Sequence, residues 1–186
     1  MRAVVVYESM FGDTRQIADA IGDGLALKFE VTVVPVSEAA ADQLDGIDLL
    51  VVGGPTHVRG MSRPKTREGA VDQASQPDSG IILEPGASGL GLREWFSTLT
   101  EGPPHAAAFD TRVQMSTLVT GRAAPRIARS LQRSGCHLIA EPESFLVTTK
   151  KPTLVAGQRE RARAWGETLA VVGARQPNKL GGLVDG

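Results

Sequence analysis

Five apolar runs punctuate the chain: AVVVY at 3–7, VTVVPV at 31–36, DLLVVGG at 48–54, AAAF at 106–109, and HLIA leading to SFLV across 137–147. Unbroken runs of this length suit strands covered on both faces, the habit of parallel sheets. Stripes of helical period lie between them. Ile17, Ile21 and Leu25 recur every four residues after a turn carrying Ser9, Gly12 and Thr14, which predicts a helix over 14–28. Ser37 heads a short alanine-rich helix ending near Leu44, and Ser88 precedes one with Leu92, Trp95, Phe96 and Leu99 on one side. Ala124, Ile127, Ala128 and Leu131 form a stripe closed by Gly135, and Ala162, Trp165, Leu169 and Val172 form the last;. Strand followed by helix about five times predicts an open doubly wound α/β sheet. The stretch 61–88 breaks the rhythm. A short helix over 65–74 fits, but the stretch is too long for a plain connection, and long loops at strand ends often carry function.

At 186 residues the chain predicts one domain over 1–177, with the glycine-rich tail 178–186 expected to be flexible;. A net charge of −1 gives no reason to expect nucleic acid or an anionic membrane as partner;. The charge is uneven, however: residues 1–60 hold nine acids against four bases. Arginines cluster at Arg122, Arg126, Arg129 and Arg133 and at Arg159, Arg161 and Arg163, where solvated helix faces are favoured over a docking patch;. Cys136 is the only cysteine, and His57, His105 and His137 lack ligand spacing, so neither disulfides nor a metal is expected;. Neither a secretory leader nor a membrane-length apolar stretch is recognised, so a reduced, cytoplasmic setting is expected. There is no G-x-S-x-G elbow for hydrolytic chemistry.

The chemistry concentrates in YESMFGDTRQIADAI, 7–21, where a buried-looking strand meets a helix. The first amides of that helix have no intrahelical partners, and its dipole favours an anion. Ser9 and Thr14 add neutral donors, and Gly12 permits close approach. With no lysine, the turn is not the loop of a nucleotide triphosphatase, nor is it G-x-G-x-x-G. The residues alone leave two readings open: a phosphate seat, or a turn in which Asp13 or Thr14 merely caps the helix.

The string S-M-F-G-D-T after Y-E resembles the phosphate loop of the flavodoxin family, and the likeness returns at VVGGPTHVRGM, 51–61. The resemblance implies a five-stranded parallel sheet in the order 2-1-3-4-5 with helices on both faces. It also implies flavin mononucleotide (FMN) as cofactor, with the phosphate held at Ser9, Met10, Phe11, Gly12, Asp13 and Thr14. The ring would lie between Pro55, Thr56, His57, Val58, Arg59 and Gly60 after strand three and a loop of Asp110, Thr111 and Arg112 after strand four. Asp13 departs from the asparagine common in the family, and its carboxylate is expected to turn away and cap the helix. Tyr7, Trp95 and Trp165 do not stand where many flavodoxins place ring-stacking aromatics, so His57, Met61, Val58 or the Arg112 stem must serve. Losing two aromatic partners, at roughly 0.5–1.5 kcal/mol each, implies weaker or exchangeable FMN. Gly60 is the candidate for a peptide that turns over in response to the flavin. Arg59, Arg63 and Arg112 near the ring would favour its reduced anion by on the order of 1–3 kcal/mol.

The function implied is a redox carrier shuttling electrons between a reductase and an acceptor, as a monomer or weak dimer. Alternatives are an FMN-dependent NAD(P)H:quinone-type oxidoreductase, with 61–88 as lid or dimer surface, and a flavodoxin-like domain that has lost FMN. A receiver domain would need an aspartate at the end of strand three; that strand ends Gly53-Gly54-Pro55, and Lys150 alone is weak support.

Overall fold

The computed structural model describes residues 1–57, 60–149 and 153–176. Six strands, β1 (Arg2–Tyr7), β2 (Glu30–Pro35), β3 (Leu49–Pro55), β4 (His105–Val113), β5 (His137–Leu138) and β6 (Glu143–Val147), form one sheet. All of its strand pairs are parallel. The order is β2-β1-β3-β4-β5, with β6 also paired to β4, so the expected fifth strand exists as two pieces on one edge. β4 is longer than its AAAF core suggests. It runs to Val113 because Phe109–Val113 pair with Glu143–Val147, which places Asp110, Thr111 and Arg112 within a strand rather than in a loop.

The helices divide between the two faces. On one, α1 (Asp13–Leu25) and α6 (Gln158–Gly173) cover Val5, Val51, Ala107 and Phe109. Gly24 and Gly166 bring α1 and α6 into backbone contact: a Cβ on Gly24 would meet the Arg163 carbonyl, and one on Gly166 the Ile21 carbonyl. On the other face, α3 (Leu92–Thr98) and α5 (Ala124–Arg133) cover Val4, Val6, Leu50 and Val52. The single-turn α4 (Thr117–Thr120) precedes α5. The alanine-rich stretch after Ser37 forms only a 3-10 turn, Ala41–Leu44. The Ser88 helix begins later than expected, after Gly91, whose amide donates to the Glu94 carboxylate at 3.0 Å. Trp95 and Trp165 are core residues on opposite faces, as their stripes predict.

The stretch 61–88 holds α2 (Pro64–Ala74) and then folds back over the first turn. The Glu84 amide donates to the Met10 carbonyl at 2.9 Å, and Met10 packs with Ala70 and Ala87. Among the described residues, no helix is long and apolar enough to cross a membrane. Val58, Arg59, Lys150 and the tail 178–186 lie outside the described residues.

Gly166→Ala should lower stability by about 1–3 kcal/mol, because the added methyl forces two packed backbones apart. Thermal melts check this; an unchanged melting temperature would contradict the α1–α6 contact.

Candidate functional site

β1 lies inside the sheet, between β2 and β3, and ends at Tyr7; after five intervening residues α1 begins at Asp13. The turn between them depends on Gly12, the N-cap, whose φ of 92° favours glycine;. Its amide donates to the Ser9 hydroxyl at 3.1 Å. The helix therefore opens one residue earlier than predicted and Asp13 is not its cap: no side chain caps α1. Asp13 stands at the first helical position, where its carboxylate faces the Leu154 amide and burial raises its pKa. Helical geometry leaves the amides of Asp13, Thr14 and Arg15 without intrahelical partners.

A cleft of about 230 Å³ opens beside this mouth, at the carboxyl ends of the strands. Met10, Phe11, Asp13, Thr14, Pro55, Thr56, His57, Thr111 and Arg112 all line it, so most of the residues singled out in the sequence converge on one place. The period-two alternation of β4 explains how its three members are used. Thr111 faces α1, where its hydroxyl shares a 2.7 Å hydrogen bond with that of Thr14. Asp110 points to the other face, fully buried, and accepts the Ala124 amide at 2.7 Å and the Thr56 hydroxyl at 3.2 Å. Thr56 in turn accepts the Ala123 amide at 2.9 Å. Asp110 and Thr56 thus satisfy the first amides of α5, and Asp110 does not reach the cleft. Burial raises its pKa, against the opposing pull of the Ala124 amide.

Ser9 lies behind the turn, lining a second cavity with Glu8, Arg15 and Glu84. The Glu84 carboxylate rests against Gly12, 2.9 Å from where a Cβ would stand, and pairs with Arg15 at 3.4 Å. His57 and Gly60 close a tight turn: each donates its amide to the other's carbonyl, at 2.7 and 2.9 Å. Both backbone polar groups of Gly60 are therefore engaged with His57. Met61 is buried against Leu92 and Trp95, which removes it as a ring partner. Phe11, half-buried, is the aromatic side chain that lines the cleft. Arg63 is exposed at the head of α2, outside the cleft lining, so among the described residues Arg112 is the arginine observed at the cleft. Its Nη1 donates to the carbonyls of Val113 and Met115.

Several contributors went unread in the sequence. Thr148 and Thr149 line the cleft at the carboxyl end of β6, which the strand-end rule for this architecture could have flagged;. Gln73 reaches it from α2, for which the sequence holds no signal. Glu8 is buried and accepts the Leu92 amide at 2.9 Å; burial raises its pKa, while that amide, Ser62 and Arg67 oppose the rise. Arg67, also buried, donates to Ser62 and pairs with Glu94 at 3.2 Å.

A family model described as flavodoxin matches residues 5–91, spanning β1 to the foot of α3. Solved flavodoxins share the whole architecture. A flavodoxin from the domain Archaea is 20% identical, with a TM-score of 0.63 over 94% of this chain and 99% of its own. The fold is that of the flavodoxins, and the chain is flavodoxin-like. A flavodoxin, WrbA-like protein from Agrobacterium tumefaciens is 18% identical, with a TM-score of 0.59 over 95% of this chain and 99% of its own. Oxidised Flavodoxin 2 from Bacillus cereus is 18% identical, with a TM-score of 0.59 over 94% and 98%. Identities this low speak for fold alone. A comparison with curated protein sequences finds no match.

The residues of this flavodoxin-like site fit a phosphate monoester. Free amides at the head of a helix and the Thr14 hydroxyl supply donors, although Met10 and Phe11 add no hydroxyl and Asp13 adds a nearby carboxylate. The cleft, at about 230 Å³, is smaller than the roughly 300–1,000 Å³ of ligand clefts and cavities, so it would enclose only part of such a cofactor;.

His57 supplies a test of the site's electrostatics. Burial, and then the positive charge of Arg67, hold its imidazole below the usual 6.5. Below that pH the unfolded chain takes up a proton that the folded chain resists, so acidification toward the folded value costs stability. His57→Gln should flatten the fall in melting temperature just below pH 6.5 relative to wild type. An unchanged slope would contradict the half-buried, neutral imidazole.

Proposed function

We propose that the chain binds FMN by its phosphate at the head of α1 and carries electrons between a reductase and an acceptor protein. The observation that carries this reading is the open mouth of α1 beside a cleft at the carboxyl edge of a flavodoxin-like sheet. The amides of Asp13, Thr14 and Arg15 and the Thr14 hydroxyl would hold the phosphate. The ring would lie toward Phe11, the 55–60 turn and the Thr111–Arg112 edge of β4. When bound, the flavin supplies electron transfer, while the protein binds it, orients it and sets its electrostatic surroundings.

The chain's own residues define those surroundings. His57, neutral at pH 7, offers one donating and one accepting nitrogen;. The Arg112 cation favours added negative charge nearby, and Asp13 opposes it. A partly open cleft lets electrons pass at the surface without a substrate pocket. The lone, buried Cys136 accords with a reduced cytoplasmic setting;.

Titration of the purified protein with FMN should quench flavin fluorescence saturably and raise the melting temperature. Saturating FMN that leaves both unchanged would overturn the proposal. Asp13→Asn should bind FMN as tightly as wild type or several-fold more tightly, because it removes a carboxylate from the anion's surroundings; weaker binding would contradict the geometry.

A further inference from the structure

Beside the turn that closes the cleft, four arginines gather on one face, and none pairs with a carboxylate among the described residues. Arg63 heads α2, Arg93 lies on α3, and Arg126 and Arg133 stand exposed on α5. Their proximity is direct. Arg126 lies over the Gly60 turn, its Cδ 3.0 Å from where a Cβ on Gly60 would stand. Burial, and then the positive charges of Arg63 and Arg126, lower the pKa of Arg93. Arg93 turns its Nε to the carbonyls of Ser62 and Met61, at 2.8 and 3.3 Å. Glu94, the acid on the same helix, faces inward to Arg67 and the Gly91 amide. Arg122, grouped with these arginines by sequence, is occupied elsewhere, with Ser144 and the Pro142 carbonyl.

Between Arg93 and Arg133 runs a groove of about 380 Å³, floored by Met61, Phe96 and Leu99 and edged by three serines. Glu94 and Glu8 act on Arg93 from within, but neither forms an ion pair with any of the four, so the clustered charge is only partly offset and a ligand of opposite sign would relieve it;. Guanidinium forks match carboxylates in pairs, and a groove with an apolar floor, edged by Arg93 and Arg133, has the composition of a protein interface;. Arginines gathered on one face steer a negatively charged protein toward it. A nucleic acid would want a basic track along its backbone, and here two of the basic residues edge a groove with an apolar floor on a chain of net charge −1;.

We propose that this face docks an acidic electron-transfer protein: Arg63, Arg93, Arg126 and Arg133 meet its carboxylates, and the groove takes an apolar side chain. The electron-transfer part rests on the carrier reading above; the docking itself needs no flavin. Arg126 and Arg133 then serve as contact residues rather than as a merely solvated helix face.

The probe is a fluorescently labelled peptide of aspartates and glutamates around a central phenylalanine, titrated with the full chain in the presence and absence of FMN. Saturable binding that weakens with salt is expected. Arg126→Glu with Arg133→Glu should weaken it at least about tenfold. The Arg126→Gln and Arg133→Gln pair should give a smaller loss with a melting temperature no lower than that of wild type, and Arg159→Glu on α6 should leave binding intact. The proposal is overturned if the peptide fails to bind or if the charge reversal has no effect. It is equally overturned if duplex DNA or phosphatidylserine vesicles bind more tightly at the same salt. Peptide binding without FMN binding would sink the carrier reading and leave docking standing; the converse would sink docking alone.

Discussion

A helix that begins at the carboxyl edge of a buried strand leaves its first amides unanswered, and most of this structure works to keep those amides in place. β1 is fixed on both sides by β2 and β3. Gly12 takes the left-handed conformation that turns the chain sharply into α1. Gly24 and Gly166 then lock α1 to α6 backbone against backbone, and the Thr14–Thr111 hydroxyl pair ties its first turn to β4. The electrostatic character of the mouth follows from this rigidity, since a fixed set of dipoles holds an anion without reorganising.

The stretch 61–91 supplies the other half of the frame. Glu8, buried at the end of β1, accepts an amide of α3, and Glu84 ties the same stretch to the Met10 carbonyl. Met10, which adds no hydroxyl to the turn, instead anchors the small apolar cluster with Ala70 and Ala87. The turn before α1 and the following stretch are therefore one packed unit. Glu84 against Gly12 and Asp13 at the head of α1 place carboxylates near that turn. With Phe11 as the one aromatic of the described cleft lining, they would make the proposed cofactor loosely held.

The sheet and its helices were legible because unbroken apolar runs and helical stripes follow directly from burial on two faces. The site was legible at the level of segments: Phe11, Thr14, His57, Thr111 and Arg112 do meet in one cleft. Individual roles were less so. Whether Asp13 caps α1 depends on where the helix begins, and a shift of one residue reversed the answer. Asp110 reads as a loop residue until β6 pairs with β4 and turns it inward. Met61 cannot be told from a ring partner until α3 packs over it. Gln73 reaches the site only through the tertiary path of 61–91, for which no local pattern speaks.

The central claim is that the head of α1 grips a phosphate, and comparing FMN with riboflavin, which lacks that group, tests it most directly. Hydrogen bonds to a charged partner contribute about 1.5–3 kcal/mol each, so two or more should make FMN bind at least about 100-fold more tightly. Equal affinity for the two flavins, measured by fluorescence titration under identical conditions, would contradict the account.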